Sequence, residues 1–108
     1  MSLNEPDKID AVAVDGNELV LLVVDSLRWN VYQKEHLEML QDKYNSYIRY
    51  IDIKGYKEQF PNKVFDSFRI DTVFKYQYDN GFVKMLEQVK EKLEEKKIHI
   101  TYRVVEGE

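Results

Sequence analysis

The sequence predicts an α+β fold: a two-layer sandwich with two helices on one face of a mostly antiparallel sheet. Three observations carry that expectation. Leu19-Val20-Leu21-Leu22-Val23-Val24 is an apolar run too short and too β-branched for a buried helix. Leu37, Leu40, Tyr44, Tyr47, Ile48 and Ile51, and later Phe82, Met85, Leu86, Val89 and Leu93, recur at helical spacing. Two further stretches alternate apolar and polar residues with period two.

The first strand covers 9–14. Asp15-Gly16-Asn17 then turns it back as a hairpin onto the hexad. With no polar residue on either face, the hexad reads as a central strand covered on both sides. A first helix follows, beginning at a capping box of Asn30 with Gln33 or near Gln33 and Lys34, and stopping at Gly55. Residues 56–60 form a short strand candidate, closed by Pro61-Asn62. Phe68, Ile70, Thr72, Phe74, Tyr76 and Tyr78 form the inner face of the next strand, and 63–67 either extend it or bulge. Asp79-Asn80-Gly81 opens the second helix, capped by an Asp or Asn, and Lys96 and Lys97 suit its C-terminal dipole. Ile98, Ile100, Tyr102 and Val104 make the last strand. The expected order is ββαββαβ: a ferredoxin-like core plus an N-terminal strand. One domain over 9–105, with flexible ends at 1–8 and 106–108, accommodates it.

Composition narrows the chemistry. Without cysteine there is no disulfide, thiolate nucleophile or cysteine metal site. No apolar stretch reaches the ~18 residues of a membrane span, and no basic-then-apolar leader opens the chain. A cytoplasmic protein is therefore expected. The net charge is −4, unevenly placed: residues 1–42 hold nine acidic against three basic side chains, while 43–78 hold seven basic against four acidic. An acidic front of this kind steers basic partners. The four glycines stand singly, so there is no phosphate loop.

The blocks Asp25-x-Leu27-x-Trp29 and His36-Leu37-x-x-Leu40-Gln41, with Phe60-Pro61 and Val73-Phe74-Lys75-Tyr76, resemble a small bacterial family catalogued only as a domain of unknown function. The resemblance spans most of 9–103. It implies a small single-domain protein and brings no activity, cofactor or catalytic residue.

His36 and His99 lack metal-ligand spacing: His36 reads as a residue at the rim of the helical stripe, His99 as an exposed strand residue. Neither a metal nor a cofactor is expected, and no catalytic residue is assigned. Asp25 reads as the acceptor of a turn, and Trp29 as a cap on the core. The aromatics of 74–78 share the covered face of Ile70 and the chain is acidic, which argues against nucleic acid. Tyr32, Tyr50 and Tyr56 lie off the inner stripe or at the ends of the first helix, where tyrosine suits an interface. The function expected is that of a protein-interaction or accessory module, of immunity type or self-associating, with enzymatic activity disfavoured. The alternative is a small-ligand site or enzyme in the loop 25–32, lined by Asp25, Arg28 and Trp29.

Overall fold

The computed structural model describes residues 5–30 and 32–105. β1 (Ala11–Asp15) and β2 (Glu18–Asp25) form the expected antiparallel hairpin, with Asp15 opposite Glu18. Gly16 sits in the turn at φ 61°, a conformation that costs a side-chain-bearing residue energy. α1 (Gln33–Asp52), β3 (Ser67–Phe74), α2 (Asn80–Glu95) and β4 (Ile98–Val104) follow.

The sheet runs β1-β2-β3-β4. It is mixed rather than mostly antiparallel, because β2 with β3 and β3 with β4 pair in parallel. The reason is topological. Each helix carries the chain from the end of one strand back to the start of the next, which is how parallel neighbours are joined. The strand expected at 56–60 does not form. A short 3-10 turn, Gly55–Glu58, stands there and points Tyr56 inward against Phe65 and Phe68. The described order is thus ββαβαβ, without the extra strand of the ferredoxin-like expectation.

Both helices pack on one face, as expected. Tyr44 of α1 bonds Thr72 of β3, Phe82 of α2 meets Phe74 of β3 edge-on, and Tyr44 meets Phe82. Leu19, Leu21, Val23, Ile70, Phe74 and Ile98 fill the space beneath them. The opposite face has no layer over it among the described residues. Val20 is screened by its neighbours, Leu22 is half-buried and Val24 is 37% exposed. The hexad is interior to the sheet, but only one of its faces is covered by helices.

The helix ends differ from expectation in instructive ways. α1 begins after Tyr32, which takes a left-handed conformation (φ 55°) and makes no side-chain cap. At the other end Lys54 turns left-handed (φ 58°), one residue before Gly55. Gly55 is needed for a different reason: a Cβ there would stand 2.6 Å from the Tyr50 ring. α2 is capped as expected, by Asp79 Oδ2 accepting the Gly81 N–H at 2.9 Å.

Polar contacts fix α1 on the sheet. The Tyr47 hydroxyl donates to the Leu22 carbonyl at 2.6 Å and accepts the Asp10 N–H at 3.0 Å. Lys43 is buried on the same face of α1. Its Nζ donates to the carbonyls of Glu5 and Lys8 and to Asp10 Oδ1, while Asp10 Oδ2 accepts the Val24 N–H. The segment ahead of β1, expected to be loose through residue 8, is held against the helix at these points.

Burial pushes the Tyr44 phenol well above its ordinary value, with the hydrogen bond to Thr72 opposing and nearby carboxylates adding to the rise. Burial also raises Tyr47. Unfolded tyrosine ionises near pH ~10. The stabilisation is therefore complete below that pH and is lost as the pH rises toward the folded values. Denaturant titrations should show stability falling above about pH 10, and Tyr44→Phe should make the fall shallower by up to roughly 1.4 kcal/mol per pH unit. An unchanged slope in that variant would contradict the assignment.

Candidate functional site

The chemistry-bearing side chains gather at the carboxyl end of β2, where parallel strands commonly present their sites. Strand alternation turns Asp25 toward the helix layer with Leu19, Leu21 and Val23, and it is fully buried. Its Oδ1 accepts the Leu27 N–H at 3.1 Å, which is the expected turn. Its Oδ2 lies 2.6 Å from His36 Nε2, in the first turn of α1. His36 Nδ1 is 3.2 Å from the Arg28 carbonyl oxygen.

Both partners of the imidazole are acceptors. Each ring nitrogen is thus engaged by the protein, Nε2 by the Asp25 carboxylate and Nδ1 by the Arg28 carbonyl. The pair closes the loop between β2 and α1 onto the first turn of the helix.

Trp29 stacks on His36 with ring centroids 3.7 Å apart at 20°, and meets Phe74 edge-on at 6.1 Å. It is only 5% exposed, so it does cap the core. Its Nε1–H has no hydrogen-bond partner among the described residues. A buried donor left unmade costs about 1–3 kcal/mol. Arg28 lies over the Tyr76 ring, its guanidinium carbon 4.5 Å from the centroid. Two cavities flank this stack. One of about 320 Å³ lies toward the start of α2 and includes Trp29, Gln33 and Asp79 in its wall. The other, about 590 Å³, lies toward α1 and includes Leu27, Tyr32, His36 and Met39. Arg28, Asn30 and Tyr76 line both.

Of the three ligand-site residues expected from sequence, Arg28 and Trp29 line a cavity, while Asp25 lies beneath them with its carboxylate engaged. The interface tyrosines are not brought together. Tyr32 is 76% exposed at the helix entry. Tyr50 is half-buried over Gly55, and burial with the nearby Glu58 carboxylate raises its pKa. Tyr56 is buried in the aromatic cluster with Phe65. His99 is exposed on the uncovered face, as expected, whereas His36 is fully inside rather than at the rim. Its position four residues before Leu40 on the apolar stripe was the available signal. Among the described residues no group of three His, Asp or Glu side chains could hold a metal ion, and no helix is long and apolar enough to cross a membrane.

The second surface is the uncovered sheet face. Its β1–β2 half presents Ala11, Ala13, Val20, Leu22 and Val24. Its β3–β4 half presents Arg69, Asp71, Val73, His99, Thr101 and Arg103. Arg69 pairs with Glu18 at 3.3 Å and reaches Asp15 at 3.8 Å, and Arg103 pairs with Asp71 at 2.7 Å.

These features define a small α+β domain: a four-stranded mixed sheet with helices on one side only. The chain belongs to a family of unknown function, DUF6572, whose model matches residues 1–106. No curated protein and no solved structure matches it.

Removing one partner of the Asp25–His36 pair leaves the other buried and unpaired. His36→Ala should cost about 3–5 kcal/mol in denaturant unfolding. Combined with Asp25→Ala it should cost less than the sum of the single changes, by roughly 0.5–3 kcal/mol. Strict additivity would show that the two groups do not form a pair.

Proposed function

We propose that the protein is a protein-binding module whose docking surface is the uncovered face of its sheet. One observation supports this above all: three strands run in parallel, yet helices cover only one side. Parallel sheets are ordinarily covered on both faces, because both faces of their strands are apolar. Here β2 keeps that composition, with Val20, Leu22 and Val24 on the side away from the helices. An apolar centre bordered by ion pairs is also the usual anatomy of an interface.

Size refines the reading. Strands of about 25 Å, four of them some 5 Å apart, give a face on the order of 400 Å². A standard interface takes roughly 800 Å² from each partner. The face alone is too small, so the partner engages an edge as well. β4 offers one, since its outer side has no neighbouring strand in the described sheet. A second copy of the chain and a different protein are both compatible with this geometry. The acidic first third of the chain favours a basic partner in the second case.

The test places charge on the face without disturbing the core. Val24→Glu with Val73→Glu should leave the unfolding midpoint and circular dichroism close to wild type. It should weaken self-association in sedimentation, or partner capture by crosslinking, by roughly tenfold or more. A wild-type chain that stays monomeric and captures nothing the variant loses would remove the proposal.

A further inference from the structure

We propose that a second copy of the chain pairs with this one along β4, antiparallel and about a two-fold axis at Tyr102, so that the two four-stranded sheets become one. What the joined face then does rests on the reading above; the seam itself stands on β4.

The backbone of β4 is open on one side. Phe68 donates its N–H to the Lys97 carbonyl, and Val105 donates to the Phe74 carbonyl. In a parallel ladder that alternation turns the backbone groups of His99, Thr101 and Arg103 toward β3. Those of Ile98, Ile100, Tyr102 and Val104 point away, and no strand lies beyond them among the described residues. Natural edges carry lysine, proline or a bulge against unwanted pairing. β4 contains neither lysine nor proline, its register with β3 is unbroken, and its four outward-bonding residues are all apolar. The other edge, β1, is five residues long against seven.

A groove runs beside this edge. A cavity of about 290 Å³ between β4 and α2 has Val83, Leu86, Leu93, Ile100 and Tyr102 in its wall. Tyr102 remains 38% exposed although it meets Phe82 edge-on. A strand added to β4 sets every second side chain over this groove.

Charge selects both the occupant and the register. The outward backbone groups belong to even-numbered residues, so an antiparallel copy opposes even to even. An axis at Ile100, Thr101 or Arg103 opposes Arg103 to Lys97, to His99 or to itself, basic against basic each time. With the axis at Tyr102, Arg103 meets Thr101, His99 meets Val105, and Ile100 meets Val104. No like charges then face each other, the two Tyr102 rings meet at the centre, and the partner's Val104 covers the groove at Ile100.

The seam is about 23 Å long and, counting sheet and helix layer, about 20 Å deep, so each chain covers roughly 450 Å². The total is just under the ~1,000 Å² of a stable specific interface, which makes this a weak, reversible dimer. Pairing also joins the two bare faces into one of roughly 800 Å², the area a standard interface takes from one partner.

Sedimentation equilibrium of the full chain, over roughly two decades of concentration up to about 1 mM, should show monomer and dimer in exchange. Thr101→Arg opposes the partner's Arg103 twice per dimer, while Asp71 accommodates it within its own chain. That variant and Tyr102→Lys should each weaken dimerisation by roughly tenfold or more with circular dichroism unchanged. The amides of Ile100, Tyr102 and Val104 should gain protection from exchange as concentration rises, and those of Thr101 and Arg103 should not. A wild-type chain that stays monomeric throughout overturns the seam. So does a dimer that both variants leave intact, or one whose Tyr102 amide exchanges as fast as in the monomer. Val24→Glu with Val73→Glu lies off the seam and should keep the dimer. If that variant abolishes the dimer, the seam fails and the face reading stands. If it keeps the dimer and loses no captured partner, the face reading fails and the seam stands.

Discussion

The structure depends on how α1 is fastened to β2. Apolar contact alone is non-directional and would let a helix slide or rotate on a sheet of Leu, Val and Ile. Three polar attachments remove that freedom. Asp25 at the end of β2 holds His36 in the first turn, Tyr47 reaches the Leu22 carbonyl, and Lys43 gathers Asp10 with the chain ahead of β1. All three are buried or nearly so, where an unmade hydrogen bond is costly, so the helix has one position that satisfies them. Much else follows from that position. It holds the loop that carries Arg28 and Trp29, and it places Tyr44 over Thr72.

The sequence showed the elements far better than their relations. The hexad, the Asp-Gly-Asn hairpin, the Asp79 cap and the alternation around Ile70 and Ile100 are local signals, and each marks a real element. Strand direction is not local. An alternating strand such as Ser67–Phe74 looks the same whether its neighbour runs with it or against it, which is why a mostly antiparallel sheet was expected. Residues 56–60 failed differently. Two aromatics in a short run suit a strand, but they suit equally a single turn that buries one of them, and Tyr56 is buried in just that way.

The site was half legible. Arg28 and Trp29 were found because they follow a buried strand, where loops carry function. The pairing of Asp25 with His36 joins residues eleven apart, through a geometry no spacing rule encodes. A signal was nonetheless present. His36, Leu40, Lys43, Tyr47 and Ile51 fall on one helical stripe, and a histidine and a lysine on an apolar stripe imply buried partners. Taking His36 as a rim residue, and giving Lys43 no place in the core, hid the two contacts that set the helix. The two candidate surfaces follow from the same architecture: covering one face with both helices leaves the other bare, and fixing the first turn of α1 creates the cavity beside it.

Amide hydrogen exchange tests most directly whether α1 and β2 act as one fastened unit. The amides of residues 19–23 and 40–47 should exchange slowest in the chain and with a single opening free energy, equal to that of global unfolding. If the α1 amides instead open at much lower free energy while β2 stays protected, the polar attachments do not hold the helix and the account fails.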